Sequence, residues 1–255
     1  MEFIIPWYTI PIPNLFERSP TMLFGFDWTI LVVLPALVFA LWAQSRVYST
    51  FNRYAKVYNR RGLTGAEAAR RVLDANGLYH VTIERIHGRL TDHYDPRANV
   101  IRLSDTVYSS TGIAAVGVAA HEAGHAVQHA VGYVPIKIRA AIIPVTNFGS
   151  KLAMPLFLIG ILLSYVGNVI GGMFMLAGIL FFSFSTLFQL VTLPTEFNAS
   201  ARAMKALEDG GLLASDELPA AKATLSAAAM TYVAALATSL ASLLRLILIF
   251  NNRRR

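Results

Sequence analysis

From residue 152 to residue 195 the chain carries no Asp, Glu, Lys or Arg. A helix needs about 20 apolar residues to cross the hydrocarbon core of a bilayer. This run is long enough for two such helices, and Gly167-Asn168 with Gly171-Gly172 supply the turn between them. Spans are therefore expected over residues 152–166 and 170–190, with a buried helix pair in a soluble protein as the competing reading. Only 15% of the 255 residues are charged, against roughly 25% in a soluble globular domain.

Residues 22–44 form a third apolar segment, with Asp27 near its start, and the basic residues Arg46, Arg53, Lys56, Arg60 and Arg61 follow it. Positive charge beside a span marks the cytoplasmic side, so the N-terminus is expected outside. Residues 1–20 hold Trp7, Tyr8 and several prolines, which suits an interfacial segment rather than a helix. The last helix is expected over residues 219–250, Ala-rich first and strongly apolar from residue 243 apart from Arg245. A full crossing there would leave Arg253, Arg254 and Arg255 outside, against the positive-inside tendency, so either three or four spans fit. The formal net charge of +7 lies largely beside apolar segments. No basic stripe accompanies a nucleic-acid-binding fold, so the partner implied is a lipid bilayer and not nucleic acid.

Between the spans lies a block that reads as soluble. Thr64-Gly65-Ala66-Glu67 fits a capping box, and the helix it opens is expected to stop near Gly77. Residues 80–86 alternate like a strand, residues 92–97 read as a turn, and residues 99–103 read as a second strand, making a β-hairpin. A further helix is expected over residues 111–131. Pro135 and Pro144 are expected to break the chain after it, with Lys137, Arg139 and Lys151 at the water boundary. A new helix is expected to begin at about Glu196.

The 111–131 helix carries His121-Glu122-Ala123-Gly124-His125. Residues four apart share a helix face, so both imidazoles can bind one Zn²⁺ while Glu122 faces the water it activates. Zinc lowers the pKa of bound water from ~15.7 towards ~7, and the carboxylate can accept its proton. That is equipment for peptide-bond hydrolysis. With no cysteine in the chain, any metal must be held by His, Asp or Glu. Two His and a Glu in an apolar helix are also costly unless they are used.

A catalytic zinc has three protein ligands and one open position. Candidates for the third are His129, Glu196, His80, His87 and His93. His121, His125 and His129 rise about 12 Å along the helix, too far for one ion, so His129 reads better as a core residue or as a partner of a ligand. Glu196, at a span end, is the stronger choice. His80 and His87 alternate with apolar strand positions and are expected to be exposed.

Val118-Ala119-Ala120-His121-Glu122-Ala123-Gly124-His125-Ala126-Val127-Gln128-His129 resembles the YugP-type neutral zinc metallopeptidases, bacterial membrane proteins. So do Thr91-Asp92-His93-Tyr94-Asp95-Pro96, Leu103-Ser104 and Glu196-Phe197-Asn198-Ala199-Ser200. The likeness runs from Tyr54 to the C-terminus. It implies zinc bound by His121, His125 and Glu196, with Glu122 as general base. The layout is more distantly similar to the HtpX heat-shock proteases and the CAAX prenyl-protein endopeptidases. Those carry an Asp four residues beyond the glutamate ligand, where this chain has Ser200. A serine brings no carboxylate to orient a histidine, and Asp92, Asp95 or Asp105 are the candidate replacements. His93, Tyr94, Arg202 and Tyr232 are candidate donors to a developing oxyanion.

The resulting expectation is a mainly α, integral-membrane helical protein with a gluzincin-like zinc-protease core and a small β-hairpin. Its segments are an interfacial stretch and first span (1–45), a cytoplasmic-side catalytic part with the metal helix (46–150), a transmembrane hairpin (151–193), and the third-ligand helix with the long C-terminal helix (194–255). Its function would be that of a multi-pass zinc endopeptidase of a bacterial inner or plasma membrane, cutting membrane proteins or membrane-associated peptides. The alternative is a zinc-binding adaptor or pseudoprotease. A transporter is disfavoured, because the two best spans hold no charge.

Overall fold

The computed structural model describes residues 28–254. The interfacial reading of residues 1–20, the start of the first span and Asp27 lie outside the described residues.

Four described helices are long and apolar enough to cross a membrane: α1 (Ile30–Tyr54), α5 (Val134–Tyr165), α6 (Gly171–Asp209) and α7 (Leu218–Arg254). The charge-free run forms most of the α5–α6 hairpin, which closes through Gly167, at φ +78. Its two helices pack closely because small residues line the contact. A Cβ on Gly178 would meet the Ala153 carbonyl oxygen at 2.7 Å and the Phe157 side chain at 2.8 Å. Between helices with apolar surroundings, such backbone proximity is a main source of attraction. Helix α7 packs along α1. The Thr238 hydroxyl donates to the Ala36 carbonyl at 3.3 Å and Arg245 Nε donates to the Thr29 hydroxyl at 3.2 Å.

The long helices outrun the spans expected of them. The 39 residues of α6 extend about 58 Å, against about 30 Å of hydrocarbon core. No new helix begins at Glu196, as was expected there; α6 runs unbroken through Pro194. Pro144 likewise lies inside α5 and does not end it, whereas Pro135 stands in the first turn. A proline removes one helix hydrogen bond, and neighbouring groups in a packed bundle compensate.

The projecting helix ends meet a compact layer made of α2 (Gly65–Ala75), a small sheet, α3 (Asp105–Tyr108) and α4 (Ile113–Ala130). Thr64 and Glu67 form the expected capping box at the start of α2, and Gly77 at φ +72 follows its end. Ala68, Val72 and Leu73 of α2, Ile101 and Leu103, Val116 and Ala120 of α4, and Ala203 and Leu207 of α6 form one buried core.

The sheet corrects the expected hairpin. It has three strands, β1 (Thr82–Ile86), β2 (His93–Asp95) and β3 (Val100–Ser104), in the order β1-β3-β2. β1 and β3 pair parallel, with Thr82 opposite Val100 and Ile86 opposite Ser104. The hairpin is instead β2–β3, with His93 opposite Arg102. Its turn is held by Asp95 Oδ1, which accepts from the backbone N–H groups of Arg97 and Ala98 at 2.9 and 3.3 Å. Alternation shows which side chains share a face, but either strand direction satisfies it.

Candidate metal centre

Helix α4 carries His121, Glu122 and His125, and its apolar first turns seat it in the core. It crosses α6 at Gly124, where an added Cβ would lie 2.7 Å from the Ala199 carbonyl oxygen. The glycine in the middle of the motif thus lets the two backbones approach. That approach brings Glu196 opposite the two histidines. Glu196 Oε2 lies 3.3 Å from His121 Nε2 and 3.5 Å from His125 Nε2. The glutamate is 2% exposed, and the histidine side chains are 13% and 12% exposed.

Oε2 is buried without any hydrogen bond, an expensive state for a carboxylate oxygen. One candidate ligand atom from each of the three residues lies within 4.8 Å of the other two. Four ligands at ~2.0–2.1 Å around a tetrahedral zinc stand about 3.3 Å apart. The carboxylate–imidazole separations therefore suit that ion, and nitrogen and oxygen are donors it accepts. The residues present fit a zinc ion.

The far sides of the ligands are tied down. His121 Nδ1 is 3.1 Å from the Ser200 hydroxyl, so the serine reaches the histidine without a carboxylate. His125 Nδ1 is 3.0 Å from Gln128 Oε1, and Gln128 Nε2 donates to the Thr195 carbonyl at 2.8 Å and to Asn198 Oδ1 at 3.0 Å. Gln128 Oε1 can only accept, so His125 Nδ1 donates and the His125 Nε2 lone pair is free to face Glu196, while the Ser200 hydroxyl can accept from or donate to His121 Nδ1. Arg139 Nη1 donates to Glu196 Oε1 at 3.0 Å.

A cavity of about 180 Å³ opens on His121, Glu122 and Glu196. Tyr232, Ser200 and Asp92 share its wall, and Phe51, Val118 and Leu225 make it mostly apolar. Asp92 is anchored by the backbone N–H of Ser104 at 2.7 Å and its hydroxyl at 3.1 Å. Burial pushes its carboxyl above the usual carboxylate range despite those bonds, and the charge of Glu122 adds to the shift.

The other sequence candidates stand apart. His93 is exposed, with Nδ1 2.9 Å from the Thr91 carbonyl oxygen, and it does not line the cavity. His129 is half-buried and packs against the Tyr94 ring, centroids 5.5 Å apart. His80 and His87 are exposed. Asp95 pairs with Arg102 and Asp105 with Arg85, so neither replaces the missing carboxylate. Arg202 donates to Asn198 Oδ1 at 2.8 Å and does not line the cavity. Sequence reasoning assigned no part to Gln128 or Asn198, although both stood inside the quoted motifs. It left Arg139 at the water boundary. A glutamine three residues after His125, on the same face of an otherwise apolar helix, is the signal that could have found the first of these.

The family model described as "Putative neutral zinc metallopeptidase" matches residues 29–251. The chain belongs to this family. It is 48% identical over 225 residues to "Putative membrane protease YugP" of Bacillus subtilis (strain 168), an alignment covering 88% of this chain and 97% of that one. No solved structure gives a significant match. Family membership and the four apolar helices agree on a membrane protein of the zinc metallopeptidase type.

Proposed function

We propose that the protein is a multi-pass membrane zinc endopeptidase in which His121, His125 and Glu196 hold the ion and Glu122 is the general base. The observation that carries this reading is the buried Glu196 Oε2, without a hydrogen bond among the described residues, facing two imidazole Nε2 atoms. Bound there, zinc would acidify a water molecule and polarise the scissile carbonyl. Glu122 directly follows His121 in sequence, lines the cavity beside it and forms no ion pair among the described residues. It can take the proton of the attacking water and return it to the leaving amine. Tyr232, which lines the same cavity, can donate to the oxyanion.

Edge strand β2 begins one residue after Asp92, a cavity residue. An extended peptide can add to such an edge, which suits an endopeptidase. The apolar walls and the position of the cavity beside the apolar helices favour membrane proteins or membrane-associated peptides as substrates. The five basic residues from Arg46 to Arg61 favour a cytoplasmic-side site in a bacterial inner or plasma membrane. In this orientation α7, antiparallel to α1, ends on the outer side.

The test compares wild type and Glu122→Gln, purified in detergent, for casein cleavage and for bound zinc. Equal zinc with cleavage lost only in the variant supports the proposal. Zinc in both with cleavage in neither moves the reading to a zinc-binding adaptor.

A further inference from the structure

The two oxygens of Glu196 have different surroundings. Oε2 faces the histidines without a hydrogen bond, while Oε1 accepts from Arg139 Nη1 at 3.0 Å. Arg139 stands in the second turn of α5, a helix that otherwise gives nothing to the site. Its guanidinium carbon lies 6.0 Å from the centre of the Phe188 ring of α6, and its side chain is 28% exposed. Both contacts hold the planar guanidinium against α6, a geometry that a flexible ammonium would not reproduce.

We propose that Arg139 is a positioning residue that divides the Glu196 carboxylate, keeping Oε1 on the guanidinium and leaving Oε2 alone to face a metal. This inference rests on the zinc-site reading above. A catalytic zinc needs three protein ligands and one free position. A carboxylate that turned both oxygens to the ion would compete for that free position. Arg139 prevents the turn by engaging Oε1 and offsets the charge of a buried carboxylate whenever metal is absent. It also ties the α5–α6 hairpin to the centre, so the first turns of an apolar helix help set the coordination.

The experiment uses full-length wild type, Arg139→Gln, Arg139→Lys and His121→Ala in detergent. Each is stripped of metal and titrated with zinc against a competing chelator. Melting of the metal-free forms and the visible absorption of the cobalt(II)-substituted forms are recorded in parallel. Arg139→Gln is expected to bind zinc about 10–100-fold more weakly, the range for losing a partner of a metal ligand. Arg139→Lys should fall in between and melt like wild type without metal. The cobalt band of Arg139→Gln should weaken as a second oxygen raises the coordination number. Wild-type affinity and an unchanged cobalt band in Arg139→Gln, with zinc lost in His121→Ala, would overturn the role of Arg139 and leave the zinc site standing. No site-dependent zinc in wild type would overturn the zinc site itself. Should Arg139→Gln not fold, Arg139→Lys decides alone, and wild-type zinc affinity there counts against the proposal.

Discussion

Helix α6 is held in two different ways along its length. Its first half packs on the later turns of α5 through apolar, backbone-close contacts, with Gly178 set on Ala153 and Phe157. Against α4 the close approach at Gly124 is joined by directional bonds from Gln128 to Thr195 and Asn198, and between Ser200 and His121. Dispersion contacts are individually small and non-directional. Misplacing a hydrogen-bonded buried group, in contrast, leaves a polar atom unsatisfied. The apolar half of α6 should therefore lose stability gradually when altered, while the half carrying Glu196 should lose function abruptly.

The largest effect is expected at the centre of the directional half. Glu122→Gln keeps the shape of the side chain and removes the proposed base, so peptide cleavage should fall by roughly 10²–10⁴-fold with zinc content unchanged; loss of zinc as well would mean that Glu122 helps hold the ion. Gln128→Leu removes the partner of His125 and leaves the Thr195 carbonyl and Asn198 without its donor. Zinc affinity should drop about 10–100-fold in a chelator competition, and an unchanged value would show that the tie is dispensable.

A smaller and different effect is expected in the apolar half. Gly178→Val forces a side chain against Ala153 and Phe157 and should cost about 1–3 kcal/mol, read as an earlier unfolding midpoint in detergent. Zinc affinity of the folded variant should stay at the wild-type value; a fall would show that the two halves are coupled. Smallest is Thr64→Ala, which removes the capping box of α2, distant from both contacts. About 1 kcal/mol of stability should be lost, with cleavage per folded molecule unchanged.

Much of this was legible along the chain. The charge-free run, the His121-Glu122-x-x-His125 spacing and the Thr64–Glu67 cap are local patterns. Each follows from helix geometry or from the absence of charge, and neither needs a distant partner to be read. The pairing of β1 with β3 was not legible, because alternation is blind to strand direction. The continuity of α6 was hidden by Pro194, which signals a break in water but is accommodated in a packed bundle.

The sequence by itself determined that apolar helices long enough to cross a membrane would form a hairpin, and that two histidines would share one helix face with a glutamate beside the first. Composition and 3.6-residue periodicity are enough for that. Only the tertiary structure decided what surrounds them. Glu196 meets His121 across the α4–α6 crossing, Gln128 reaches Thr195, and Arg139 reaches Glu196 from a third helix. These contacts join residues 57 to 75 positions apart, and such distances close only when the core and the glycine contacts have fixed how the helices cross.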